Sequence, residues 1–448
     1  MGVRLPGKTS GLFDPKVVEG LIEVEKMPIK SAQDRKEKVV KERDEFKKLQ
    51  DLVNALDTSL GKLKTNTDFK LLKVESTHPD ILDGTITGPT VPGSYEFEVR
   101  GMSRSEKELA FGFPDKDQTA VGFGYMRIER AGEDDVEVTI EPGSTLQDVA
   151  TAINGTESGV KAMVVNTKYQ PDPFRLMVLS EKTGEESKIK IDEDTTFLEF
   201  KEQVKGRNLD VLFEDVPVTD EDNDLDALVS GVNFNAKRAE PGTRVEINIT
   251  HDIDGTIENI KTFVKGYNDV AKFINTQFQV NPQTQKAGLL ASDSTIKTVM
   301  RTLQSGISSV NTQSGKYINL ASIGITTNSK TGELDVDETK VKKALTEEYD
   351  SVAKLFVRSE TTVGVAAAMA DRIKGLRDAS NGMLKSRAKS LDTIIKGQDD
   401  QITRKEADFA RKEESIKRRF TALESNLSGM KAQGDFIAQR FGGGGGEG

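Results

Sequence analysis

The sequence of 448 residues contains no cysteine and no tryptophan, and only two histidines, His78 and His251. Without cysteine the chain can form neither a disulfide framework nor a thiolate metal site, and it has no cysteine nucleophile. Two histidines far apart in the sequence leave little for a zinc site or a Ser-His-Asp triad. No apolar run is long enough to cross a bilayer, and the first residues hold no apolar signal-peptide core. These absences weaken most enzyme classes, give no support for a metal or a cofactor, and predict a soluble protein.

The charge of the chain argues against nucleic acid as a partner. Lys and Arg number 63 and Asp and Glu 73, a net charge of −10, whereas binding to a phosphate backbone needs a concentrated basic face. The basic clusters at 35–48 and 404–419 alternate with acidic residues, which is typical of the charged flanks of coiled coils.

Near the N-terminus, apolar residues recur with coiled-coil spacing. Their intervals of three and four residues define an a/d seam in a charged background, and no Gly or Pro lies between Ile29 and Leu60. The seam residues are Phe46, Leu49, Val53, Leu56, Leu60 and Leu63.

A second helical pattern fills 383–430, about 70 Å if it forms one helix. One apolar row recurs every seven residues from Ile395, while a second row lapses at Gln398, Lys405 and Lys412. The residues expected to pack are Leu391, Ile395, Ile402, Phe409, Ile416, Phe420, Leu423, Leu427 and Met430. A helix this long with one narrow stripe needs a partner helix. An antiparallel hairpin with the N-terminal helix is one candidate for the inner half, and the polar positions favour intersubunit packing or a variable end farther out.

The middle of the chain has a different pattern. Residues alternate between apolar and polar at 95–99, 136–140 and 245–249, and 176–179 form a continuous apolar run. Both patterns predict strands. One short helix is predicted at 145–153, with Ser144 as its N-cap. The helical period returns at 257–278.

Two motif matches are better explained without a ligand. Residues 2–9, GVRLPGKT, satisfy the Walker A pattern letter by letter, but no strand can precede a loop that starts at residue 2, and Pro6 lies inside it. Asp220, Asp222 and Asp224 imitate an EF-hand start, yet Leu225 and Gly231 stand where the turn Gly and the bidentate Glu belong.

These patterns predict an α+β protein in which β-rich head domains are inserted into a terminal α-helical coiled-coil stalk. The expected segments are a flexible N-terminal segment with a short helix (1–35), an N-terminal stalk helix (36–75), a β-rich head of two subdomains (76–250), a mixed helical leg (251–380), a C-terminal coiled-coil helix (381–441) and a Gly-rich tail (442–448).

Several phrases, taken in order, carry a family resemblance. They are Ser10-Gly11-Leu12-Phe13-Asp14, Gly93–Val99, Ser144-Thr145-Leu146 with Ala152-Ile153-Asn154 and Gly159-Val160, Gly231-Val232-Asn233-Phe234, Pro241-Gly242-Thr243, Phe263-Val264 with Tyr267-Asn268, Ile323-Gly324-Ile325, Gly332–Asp337, and Phe420 with Leu423-Glu424 and Met430. Each phrase alone is weak, but together they resemble the flagellar filament cap protein family, hook-associated protein 2 (FliD), over nearly the whole chain. Phe13, Phe234 and Arg419 depart from the usual residues of that family.

The resemblance implies a filament cap at the distal tip of the bacterial flagellum that helps exported flagellin subunits insert and fold. The implied partners are flagellin, further copies of the chain in a ring, and a flagellar export chaperone. The implied location is extracellular, reached by flagellar type III export without a cleavable signal peptide. A hook–filament junction protein, or a secreted coiled-coil adhesin for host mucin or glycans, is the alternative reading.

Overall fold

The computed structural model describes residues 15–130, 134–156, 159–283, 285–308, 315–360 and 362–441. The chain divides into a helical unit formed by its two ends, up to Phe69 and from Asp254, and a β-rich unit, Lys70–Ile253, inserted between them in the sequence. Helices and antiparallel sheets together confirm the predicted α+β class. The Walker A-like residues 2–9, the phrase at 10–14 and the Gly-rich tail 442–448 lie outside the described residues.

The helical unit contains seven described α-helices, one short 3-10 helix (Leu320–Ile323) and one two-stranded hairpin. The helices are α1 (Pro15–Gly61), α2 (Asn66–Phe69), α4 (Ile253–Phe278), α5 (Ser294–Ile307), α6 (Glu338–Phe356), α7 (Val365–Arg377) and α8 (Met383–Phe441), and the hairpin strands are β16 (Ile325–Thr327) and β17 (Leu334–Val336). Helix α8 covers the predicted C-terminal helix at 381–441 except for its first two residues.

Helix α1 differs in both bounds from the predicted stalk helix at 36–75. It begins at Pro15, inside the segment expected to be flexible, and it continues through Pro28. Proline suits the first helical position, but in a helix interior it removes one hydrogen bond. Pro28 is exposed while Ala32 is fully buried, so packing on one face compensates for the lost bond. The helix ends at Gly61, which places the predicted seam residue Leu63 in the following turn.

Helix α4 holds the small hairpin through two adjacent side chains. The Asn268 amide donates to the Leu334 carbonyl at 2.8 Å and accepts from the Leu334 N–H at 2.7 Å, so it acts like a neighbouring strand. The buried Tyr267 hydroxyl donates to the Gly332 carbonyl, and burial raises the pKa of Tyr267 to about 12. Tyr267 and Asn268 therefore have a structural role, since they attach the hairpin to α4.

The β-rich unit contains fifteen described strands and helix α3 (Leu146–Asn154). The strands are β1 (Leu72–Ser76), β2 (Leu82–Ile86), β3 (Gly93–Gly101), β4 (Lys107–Ala110), β5 (Gly122–Arg130), β6 (Val136–Ile140), β7 (Val160–Asn166), β8 (Phe174–Ser180), β9 (Ile189–Thr196), β10 (Phe200–Val204), β11 (Leu209–Phe213), β12 (Val216–Asp220), β13 (Asp224–Val229), β14 (Val232–Ala236) and β15 (Val245–His251). They form sheets of order β1-β15-β3-β11-β12, β13-β14-β2, β10-β4-β8-β7 and β6-β5-β9.

Two separate hydrophobic cores divide this unit. One core takes its residues from the first two sheets and defines a base subdomain, 70–106 with 205–253. The other lies between the last two sheets and α3 and defines an inserted subdomain, 107–204. The two clusters share no residue.

Helix α3 is capped one residue later than the sequence predicts. Thr145, rather than Ser144, is the N-cap, because Thr145 and Asp148 form a reciprocal capping box. The Thr145 backbone and hydroxyl donors hold the pKa of Asp148 below its usual range. At the other end of α3, the Asn154 side chain bonds both the N–H and the carbonyl of Ala162 on strand β7. Asn154 thus covers part of the exposed edge of strand β7.

Candidate docking site on the terminal helices

Helices α1 and α8 pair with each other in antiparallel register. The Lys36 ammonium lies 2.5 Å from the Asp399 carboxylate, and the Lys412 ammonium lies 2.7 Å from the Glu25 carboxylate. Because a step toward the N-terminus of α1 corresponds to a step toward the C-terminus of α8, the two ends of the chain form one hairpin. Antiparallel pairing is the direction that the sequence predicts.

The inner half of this hairpin is a dry apolar seam. Its α1 residues Phe46, Leu49, Val53, Leu56 and Leu60, the following Leu63, and Leu384 and Leu391 of α8 are all buried. Leu56 packs against Gly266 of α4, where an added Cβ would lie 3.3 Å from the Leu56 Cα. Asp57 forms an ion pair with Arg377 of α7. The inner half is therefore part of a helical bundle.

The outer half, from Val18 to Arg43 of α1 and from Asp392 to Phe420 of α8, has a mixed seam. Among the predicted α8 residues, Ile402 is buried and Ile395, Phe409, Ile416 and Phe420 are half-buried. The Lys26 ammonium lies 5.5 Å from the centre of the Phe409 ring, a cation–π contact.

The polar position Lys412 has its ion-pair partner in the same chain. The Glu25 carboxylate accepts its hydrogen bond and raises the pKa of Lys412. Of the three polar positions in the lapsed row, Lys412 is therefore paired within the hairpin, whereas the buried Gln398 Oε1 has no hydrogen-bond partner among the described residues. Packing between subunits at these positions stays a prediction. Sequence reasoning missed Glu25 because an acidic residue breaks an apolar row.

Several seam residues of α1 were also missed. Val18, Ile22, Ile29, Ala32 and Val39 are buried or half-buried. They continue the three–four spacing upstream from Phe46, and that spacing was the signal that could have found them. The charged residues Glu25 and Lys36 interrupt this row, and together with Pro28 they concealed the pattern.

The seven-residue row of α8 leaves the packed face after Ile416. Leu423 is 48% exposed, Met430 69% and, one repeat further, Ile437 57%, whereas Leu427 is half-buried. A straight α-helix drifts by about 20° per heptad against a seven-residue repeat, so the row rotates out of the seam.

The register also brings α1 to its first described residue, Pro15, opposite the neighbourhood of Phe420. Beyond that point α8 extends to Phe441. We call Leu423, Met430 and Ile437 the outer stripe. It is an apolar row on a helix that faces no other helix among the described residues.

Two family models match the chain. The model described as flagellar hook-associated protein 2 C-terminus matches residues 206–432, and the model described as flagellar hook-associated protein 2 N-terminus matches residues 10–106. The first alone spans more than half of the chain. The chain belongs to the flagellar hook-associated protein 2 family. This family membership confirms the resemblance carried by the ordered phrases.

Curated relatives and a solved structure agree with the family. The chain is similar to the B-type flagellar hook-associated protein 2 of Pseudomonas aeruginosa, with 27% identity over 413 residues, which cover 85% of this chain and 84% of that protein. It is similar to flagellar hook-associated protein 2 of Salmonella typhimurium, with 24% identity and 72% of each chain covered. The crystal structure of domains D1-D2-D3 of the flagellar cap protein FliD from Escherichia coli shares the fold, with a TM-score of 0.61, 20% identity, and 78% of this chain and 99% of that chain covered.

Other kinds of site have little support in the described parts of the chain. Across 15–130, 134–156, 159–283, 285–308, 315–360 and 362–441, no group of three or more metal-ligating side chains is found. Within the same ranges no helix combines the length and the apolar character needed to cross a bilayer.

Proposed function

We propose that the chain caps the distal end of the flagellar filament and promotes the insertion and folding of exported flagellin subunits there. Membership of the hook-associated protein 2 family supports this proposal, as does the likeness of the fold to the E. coli cap protein. In this role the protein is an assembly factor and performs no catalysis.

The observation that carries the mechanism is the outer stripe. An apolar row at seven-residue spacing on an α-helix fits a second helix packed alongside it. Helix α8 extends past the described start of α1, and we propose that the second helix comes from another molecule. We assign the terminal helices of flagellin as the occupant, because a cap must stay attached to the filament while each new subunit enters.

The inner half anchors this arrangement and the outer half can move. Buried apolar seams resist opening, whereas exposed ion pairs contribute little to stability. The outer hairpin and the end of α8 can therefore release and re-engage as subunits are added, while the bundle stays folded.

The further partners follow from the same surfaces. We propose that several copies assemble as a ring through the β-rich units, and that before export a flagellar chaperone covers the outer stripe. Export through the flagellar type III apparatus then delivers the chain to the filament tip without a cleavable signal peptide.

The decisive experiment is complementation of a strain that lacks this protein. Such a strain should secrete unpolymerised flagellin and carry hooks without filaments, and added wild-type protein should restore filament growth. The variant Leu423→Ala/Met430→Ala/Ile437→Ala should fail to restore growth, although alanine preserves the helix.

A matched control removes two exposed apolar side chains elsewhere. Val91 is 67% and Val216 is 58% exposed, and both lie in the β-rich unit. Val91→Ala/Val216→Ala should restore growth like the wild type. Growth restored by the triple α8 variant would exclude the docking role of the outer stripe, and normal filaments in the deletion strain would exclude the cap.

A second candidate function is adhesion to host mucin or glycans, favoured by exposed aromatic rings in the inserted subdomain. Tyr169 is 70% and Phe197 is 69% exposed, and aromatic faces offer an apolar platform on which sugars can stack. Binding of the wild-type protein to a glycan array that disappears in Tyr169→Ala/Phe197→Ala would support adhesion. An array without signal would remove it.

A further inference from the structure

The buried polar side chains of the β-rich unit are concentrated at one place. Those that the structure describes as buried in this unit are Ser103, Glu106, Glu108, Ser180 and Ser187. All five fall in the segments 103–108 and 180–187, close to where the chain passes from the base subdomain into the inserted subdomain. We call this region, together with the returning segment 204–209, the neck.

Backbone hydrogen bonds join the outgoing and returning strands of the neck. The Arg104 N–H donates to the Arg207 carbonyl at 3.0 Å, and the Arg207 N–H donates to the Arg104 carbonyl at 3.2 Å. The Asn223 side chain accepts from the Ser103 N–H at 2.8 Å and donates to its carbonyl at 3.3 Å. Polar contacts therefore dominate where the two hydrophobic cores share no residue.

Glu106 has the most central set of contacts in the neck. Its side chain is 4% exposed. One carboxylate oxygen accepts from the Ile189 N–H at 3.2 Å, where strand β9 begins, and the other accepts from the Gly206 N–H at 3.3 Å, just after β10. No cation in the described ranges lies within ion-pair distance of this carboxylate. Glu106 thus links the start of β9 in the inserted subdomain to the returning segment at Gly206.

Ser187 and Gly206 lie close together beside Glu106. The Ser187 hydroxyl donates to the Gly184 carbonyl at 2.6 Å and accepts from the Glu106 N–H at 3.2 Å. A Cβ at position 206 would lie 2.3 Å from the Ser187 hydroxyl oxygen and 2.6 Å from the Gly184 carbonyl oxygen. Glycine is thus required for the returning chain to approach this closely.

We propose that Glu106 is a positioning residue that fixes the angle between the base and inserted subdomains. An apolar contact of the same size would tolerate sliding, whereas a carboxylate with two fixed N–H donors is satisfied in one geometry only. Burying a charge without a cation is costly, and apolar replacements of buried charges are often more stable. The carboxylate is therefore better explained by a need for one defined geometry than by stability alone.

A fixed angle has a consequence for the ring. This step rests on the proposed function, whereas the assignment of Glu106 does not. A ring closes only when the rotation from each copy to the next is the same and adds up to a full turn. A loose neck would spread that rotation, so copies would form open or mixed assemblies even though each subdomain remains folded.

The test replaces Glu106 by glutamine in the full chain. The Gln side chain keeps its size but presents an NH₂ group to one of the two N–H donors, which leaves that donor unsatisfied. Hydrogen exchange followed by mass spectrometry should show at least about ten-fold faster exchange at Ile189 or Gly206. Small-angle X-ray scattering of the full-length variant should show a broader distribution of interatomic distances than that of the full-length wild type.

Two further variants keep the result interpretable. Glu202→Gln changes an exposed carboxylate on β10 of the inserted subdomain and should leave both amides and the scattering unchanged. Gly206→Ala should reproduce the faster exchange at Ile189 by pushing Ser187 away, without altering any charge.

The proposal has distinct outcomes from the capping proposal. Protected amides and unchanged scattering in Glu106→Gln would overturn the positioning role, and so would global unfolding of Glu106→Gln accompanied by intact protection in Gly206→Ala. If the wild-type protein forms no ring, the ring is excluded, but the exchange at Ile189 and Gly206 still decides the role of Glu106.

Discussion

The two halves of the α1–α8 hairpin share one register but differ in what fills the seam. In the inner half, Phe46 and Leu56 are fully buried within a bundle that includes α4 and α7. In the outer half, Lys36 and Glu25 occupy seam positions and form ion pairs with residues of α8. Apolar seam residues stabilise a hairpin, whereas charged ones mainly fix its register. One pair of helices thus combines a stable inner half, called the root below, with a weakly held outer half, called the extension.

The largest effect on stability is expected from truncating one buried side chain of the root. Phe46→Ala should lower the free energy of unfolding by about 3–5 kcal/mol, because it removes a fully buried ring and leaves a cavity. Urea unfolding followed by circular dichroism measures this loss. Met27→Ala in the outer half of the same helix, where Met27 is 61% exposed, should change stability by less than about 0.5 kcal/mol. Equal losses in the two variants would erase the distinction between the halves.

The root of the hairpin could be predicted from the sequence, because a dry seam has to be apolar at every a and d position. The outer half could not be predicted in the same way. There Lys412 breaks the row and acquires its meaning only from Glu25, which lies 387 residues away in the sequence. Helix α1 also continues through Pro28, although proline is unfavourable in a helix interior.

In the β-rich unit, too, some features could be predicted from the sequence and others could not. Strands such as β6 match the alternating pattern at their exact bounds, 136–140, since half-buried strands carry a period of two. The contacts of Asn154 with β7 and of Glu106 with Gly206 depend on residues that meet only after folding. Polar side chains that satisfy distant backbone groups leave no periodic signal in the sequence.

A medium effect is expected at the base of the hairpin, where Asp293 caps helix α5 and pairs with Arg387 of α8. The carboxylate accepts from the Thr295 N–H at 2.8 Å and from the Arg387 guanidinium at 2.6 Å. Asp293→Ala should cost about 2–3 kcal/mol, because it removes a helix cap and leaves a half-buried guanidinium without its partner. Thermal unfolding of this variant against Arg387→Met separates the cap from the ion pair, since the methionine variant keeps the cap.

The same residue gives a pH dependence. Burial by itself would raise the pKa of Asp293, but the Thr295 N–H and the Arg387 guanidinium outweigh it and hold the pKa below its usual value. Since the folded-state pKa is lowered, the stabilisation is complete above the unfolded value of about 3.9 and is lost as the pH falls through the lower folded value. The stability gap between wild type and Asp293→Ala should therefore shrink between pH 5 and strongly acidic conditions. A gap that widens on acidification would contradict this assignment.

The smallest effect is expected from reversing one ion pair of the outer half. Lys36→Asp places a second acid opposite Asp399, and Asp399→Lys places a second base opposite Lys36, so each single variant should weaken the outer hairpin by about 0.5–1 kcal/mol. The double variant restores an attractive pair and should recover most of that loss. Hydrogen exchange of the α1 amides at 20–43 measures the local opening, and amides at 46–60 serve as the internal reference.

In 1 M salt the differences between these variants should vanish, because the screening length falls to about 3 Å. A double variant as open as the singles would mean that the pair does not set the register, and opening that spreads to 46–60 would mean that the root and the extension are one cooperative unit.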